Sequence, residues 1–99
     1  MDLMLMDTAL ERIAQARHWM ADEDSLEKHH LLSAAVQIVS ELRSTLDVRA
    51  GGPLAVNLDD LCDYVSRQLV AANLQNRVAA LDEVADLLRE VRTAWGMMQ

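Results

Sequence analysis

Three histidines, one cysteine and the serines Ser33, Ser40, Ser44 and Ser66 are the side chains with which this sequence could do chemistry near neutral pH. Glu27 and His30 form a Glu-x-x-His, the pair with which di-iron carboxylate bundles hold metal. Such sites use the motif twice, with further glutamates pointing inward. Here it occurs once, in the first turn of a helix, and no His or Cys recurs at ligand spacing on the other helical segments. No metal site is expected, and the histidines read as solvated. Histidine phosphotransfer is a second chemistry to weigh, since those domains are also four-helix bundles with an exposed His partway along a helix. His29 or His30 would be the acceptor, but His30-Leu31-Leu32-Ser33-Ala34 lacks the Lys-Gly that usually follows it. Cys62 lies at the edge of an apolar face beside Asp63, with no adjacent base, which predicts a partly buried, inert thiol. Ser33, Ser40, Ser44 and Ser66 have no nucleophile context, and there is no glycine-rich phosphate loop. No catalytic residue and no cofactor is expected.

The elements that carry these residues are helical. Apolar residues make up 52% of the chain and aromatics 3%, with no Phe, so the core is built from Leu, Val, Ile, Ala and Met. Gly51, Gly52 and Pro53 interrupt the chain near its midpoint, and each half reads as a helical hairpin. Leu3, Met6, Leu10, Ile13 and Met20 share a face of a helix over residues 3–21. Asp24 and Glu27 read as a capping box for a second helix over 25–47, whose stripe is Leu32, Ala35, Val39, Leu42 and Leu46, flanked by Leu31 and Ile38. A third helix over 53–74 opens on Pro53 and carries Leu54, Leu58, Leu61, Val65, Leu69 and Ala72. Asn76 is placed to cap a fourth, over 77–96, with Val78, Leu81, Val84, Ala85, Leu88, Val91 and Trp95. Short loops between helices of this length predict an all-α, antiparallel up-down-up-down four-helix bundle, one domain spanning 1–99. Placed at 100° per residue, Val56, Val70 and Leu74 fall opposite the Leu54, Leu58, Leu61 stripe. Helices 2 and 3 thus carry more apolar surface than a closed bundle hides, which points to a partner site, and Met4 and Met6 add an adaptable face.

The formal net charge is −7, with no Lys/Arg cluster, which argues against nucleic acid and anionic membrane as partners. No apolar run approaches the roughly 20 residues of a membrane span. A lone Cys and an apolar start too short and too acidic for a signal peptide make a cytoplasmic location the expectation.

The junction between helices 2 and 3 reads Ser40-Glu41-Leu42-Arg43-Ser44-Thr45-Leu46-Asp47, then Gly51-Gly52, then Leu54-Ala55-Val56-Asn57-Leu58-Asp59-Asp60-Leu61-Cys62-Asp63-Tyr64. This resembles the flagellin export chaperone family FliS. The likeness continues through Arg67-Gln68-Leu69-Val70-Ala71-Ala72-Asn73-Leu74, Leu81-Asp82-Glu83-Val84, Leu87-Leu88-Arg89-Glu90 and Ala94-Trp95. The chain departs from the family pattern at Cys62, where a Tyr usually stands. Met4-Leu5-Met6-Asp7-Thr8-Ala9-Leu10 resembles a family string that normally follows a leading segment folded over the binding groove. Without that segment the groove is expected to stand open. The resemblance implies a cytoplasmic chaperone that binds the disordered C-terminal region of flagellin, prevents premature polymerisation and delivers the client to the flagellar type III secretion apparatus. It further implies Ile38, Leu42, Leu54, Asn57, Leu58, Leu61 and Tyr64 as flagellin contacts, the apolar ones burying client side chains and Asn57 bonding client backbone. An export-gate protein and an anti-sigma factor are further partners to consider. Two alternatives stay open: a helical interaction module for another partner, including a homodimer through the exposed groove, and a histidine phosphotransfer bundle.

Overall fold

Each helix buries residues at alternating steps of three and four, the spacing that keeps one side of a 3.6-residue helix on a shared core. The computed structural model describes residues 3–21, 25–46 and 48–97, and among these there are four α-helices and no strand. Helix α1 (Leu3–His18) buries Met6, Ala9, Ile13 and Ala16, then tightens into a 3-10 turn, Trp19–Ala21, that buries Met20. Helix α2 (Leu26–Ser44) buries Lys28, Leu32, Ala35, Val39 and Leu42. Its N-cap is Ser25, held extended, whose hydroxyl accepts the Lys28 N–H at 3.2 Å. The expected cap, Asp24, lies outside the described residues.

Helix α3 (Val48–Gln75) begins one turn earlier than Pro53 and is broken at Gly52, where φ is 63° and ψ −148°. Only glycine adopts such a pair cheaply, so Gly52 is the break and Pro53 restarts the helix with the φ it requires. Beyond Pro53 the buried residues are Ala55, Leu58, Cys62, Val65, Leu69 and Ala72. The expected stripe had Leu54 and Leu61 in place of Ala55 and Cys62. The structure turns the smaller neighbours inward and leaves Leu54 42% exposed, with Leu61 only partly buried against the core. Helix α4 (Val78–Met97) buries Ala80, Leu81, Val84, Leu88, Val91 and Trp95, close to expectation.

Asn76 does not cap α4. Its φ of 52° makes it the left-handed residue that ends α3, and the next N–H, from Arg77, returns to the Ala72 carbonyl at 3.1 Å. This is the Schellman arrangement, in which Asn substitutes for glycine. Sequential helices pack side by side, and α1 closes the bundle against α4. Arg17 pairs with Asp82 at 2.8 Å and Arg92 with Asp7 at 2.7 Å, so α1 and α4 run antiparallel. Arg43 with Asp59, and Lys28 with Asn73 and Asn76, set α2 and α3 antiparallel in the same way.

Candidate functional site

The chemistry-bearing side chains are dispersed. His30 and His18 are exposed, the latter edge-on to Trp19 with ring centroids 5.7 Å apart, and His29 is half-buried. Among the described residues no three His, Cys, Asp or Glu side chains converge as a metal site would require. Cys62 lies within the core at 1% exposure, deeper than its sequence position suggested, and burial pushes its thiol up to about 11.

A concavity lies between α2 and α3. Leu32, Ser33, Val36 and Gln37 form one wall and Leu69, Val70, Asn73 and Leu74 the other, around about 380 Å³. The walls are mainly aliphatic and, among the described residues, carry no charge, and Val70 and Leu74 stand 48% and 78% exposed at the rim. Val56, two heptads before Val70, extends the exposed side of α3. Scattered aliphatics on a surface mean little; several along one groove make it the candidate binding face.

Each end of this helix pair is held by polar contacts. At one, the Arg43 guanidinium donates to both Asp59 oxygens, at 2.5 and 3.1 Å, and to Asp63 at 3.3 Å, while Arg67 also pairs with Asp63. Hydrogen bonding from Arg43 holds the Asp59 carboxyl below the ordinary carboxylate range. At the other end, Lys28 is 1% exposed and its ammonium donates to the Asn73 carbonyl at 3.3 Å and to Asn76 Oδ1 at 3.0 Å. Asn76 Nδ2 donates in turn to the Met20 carbonyl at 2.7 Å. One carboxamide thereby ties the end of α1, the start of α2 and the end of α3. The ammonium also sits among carbonyls at a helix C-terminus, where positive charge is favoured.

The seven residues expected as flagellin contacts do not form one surface. Leu42 and Leu58 lie in the core at 2% and 1% exposure. Ile38 lies about 160° around α2 from Val36, on the flank turned away from the groove, and is partly buried against the core. Leu54, Asn57, Leu61 and Tyr64 do share a strip, but on the α4 side of α3. There Tyr64 Oη donates to Glu83 Oε1 at 2.5 Å and accepts from Gln68 at 2.8 Å. Val36, Asn73 and Lys28 were missed. A signal for Lys28 was present: it falls in step with Leu32, Ala35, Val39 and Leu42, a cation at a core position that demands buried acceptors.

The family described as Flagellar protein FliS matches residues 1–99. The chain is 47% identical over 92 residues to the Flagellar secretion chaperone FliSB of Pseudomonas aeruginosa, covering 93% of this chain and 73% of that one. It is 39% identical over 93 residues to the Flagellar secretion chaperone FliS of Salmonella typhimurium, covering 93% and 69% respectively. The corresponding protein of Vibrio cholerae is 38% identical over 92 residues, covering 93% and 68%. With an aliphatic groove between its second and third helices, this chain belongs to the FliS family of flagellar secretion chaperones and is not an enzyme.

Proposed function

We propose that this chain binds the disordered C-terminal region of flagellin in the cytoplasm, holds it back from polymerising, and delivers it to the flagellar type III secretion apparatus. The observation that carries the reading is the uncharged, aliphatic groove between α2 and α3, with Val70 and Leu74 exposed along its rim. A disordered amphipathic segment that folds into such a groove buries its apolar face and satisfies its own backbone as a helix. Ordering the segment offsets part of the gain, so affinity is moderate for the area covered and release at the export machinery remains accessible. Leu54, Asn57, Leu61 and Tyr64 provide a second client-facing strip on the other flank of α3.

Calorimetry with a peptide from the C-terminus of the flagellin of the same organism tests this directly. One-to-one binding with a gain in helicity is expected. No heat at high peptide concentration, with helicity unchanged, would reject the assignment.

A further inference from the structure

The groove wall holds a buried side-chain oxygen without a hydrogen-bond partner among the described residues. Asn73 lines the groove among Leu32, Val36, Leu69, Val70 and Leu74, and its Oδ1 is shielded from solvent and meets no donor among the described residues. Its backbone is fixed, because the Lys28 ammonium holds the Asn73 carbonyl at 3.3 Å. Its side chain is not fixed in the same way, since rotation about χ2 of an asparagine is soft and lets the carboxamide offer either its oxygen or its NH2 to an occupant. A buried acceptor without a donor is costly, so a donor brought by an occupant of the groove relieves that cost.

Resting on the client-binding reading above, we propose that Asn73 fixes the register of the bound segment by hydrogen bonding to one neutral polar side chain, an amide or a hydroxyl, on the client's otherwise apolar face. The chemistry of the groove selects that class. Among the described residues no charged side chain lines it, so a client Lys or Arg facing Asn73 would be desolvated without a counter-ion, while an ionised Asp or Glu could accept from the Asn73 NH2 but donate nothing to its Oδ1. An aliphatic residue there would leave the carboxamide unsatisfied. An amide or hydroxyl both donates and accepts and so completes either orientation of Asn73. Aliphatic contacts at Val36, Val70 and Leu74 are tolerant of a shift by one helical turn, whereas a single hydrogen bond is not. A lone buried Asn sets coiled-coil register on the same principle.

The test is a double-mutant cycle by calorimetry on the full chain. Native protein and the Asn73→Leu and Asn73→Ala variants are titrated with the flagellin C-terminal peptide and with versions in which each Asn, Gln, Ser or Thr is replaced singly by Ala. Against native protein, one replacement is expected to weaken binding about three- to tenfold, the worth of one hydrogen bond. Against both variants that penalty should vanish, while the parent peptide still binds. Equal penalties in native and variant proteins would overturn the proposal and leave the client-binding reading intact. Absence of any binding to native protein would overturn both. Asn73→Ala keeps the test open should a leucine crowd the groove.

Discussion

Asn76 separates two contributions that a single substitution would confound. Its backbone sits at φ 52°, and its side chain accepts from Lys28 at 3.0 Å and donates to the Met20 carbonyl at 2.7 Å. Asn76→Gly keeps the left-handed conformation at no steric cost and removes both hydrogen bonds. A charge-assisted bond is worth about 1.5–3 kcal/mol and a neutral one about 0.5–1.5. Allowing for glycine's easier conformation and for non-additivity, the variant should lose about 2–3 kcal/mol. Asn76→Ala loses the same bonds and forces a Cβ into the left-handed region, a further ~1–2 kcal/mol. In a chain of this size each kcal/mol lowers Tm by about 4–8 °C, so the two variants should melt in the order native, Gly, Ala, with separations outside measurement error. Urea unfolding followed by far-ultraviolet circular dichroism measures both differences. Equal stability of the Gly and Ala variants would refute the backbone argument, and a Gly variant as stable as native would refute the tie between the three helix ends.

Val70→Asp should leave stability nearly unchanged, because Val70 is 48% exposed, yet weaken flagellin-peptide binding by about 30-fold or more by placing an unpaired charge on the groove wall; unchanged affinity by calorimetry would move the client elsewhere. Leu88→Ala, at 1% exposure in the middle of α4, should cost about 2–5 kcal/mol in urea unfolding through the cavity it leaves. The folded-state pKa of Asp59 is depressed by Arg43, so its contribution to stability is full above the ordinary carboxylate range and is lost as pH falls through the lowered value. Arg43→Met should therefore flatten the acid limb of the stability curve, and a limb identical to that of the native protein would count against this ion pair. Cys62, buried and shifted upward, should react with a disulfide reagent at neutral pH only at the rate of unfolding; rapid labelling of the folded protein would contradict its place in the core.

By itself the sequence determined how many helices there are, roughly where they break and which family the chain belongs to. Helical periodicity and the Gly52-Pro53 break are local properties, readable one segment at a time. The rotation of each helix about its own axis was decided by packing on two neighbours at once. That is why Ala55 and Cys62 face inward while the adjacent leucines stay outside the core, Leu54 exposed and Leu61 only partly buried. Asn76 reads equally well as the start of one helix or the end of another until its φ is seen. The groove belongs to no single helix. It is the space left between α2 and α3, and its walls join residues some forty positions apart, Leu32 with Leu74. A stripe on one helix can show that apolar surface is in surplus. Only the offset and rotation of two packed helices decide whether that surplus is buried, as at Leu42 and Leu58, or left exposed, as at Val70 and Leu74.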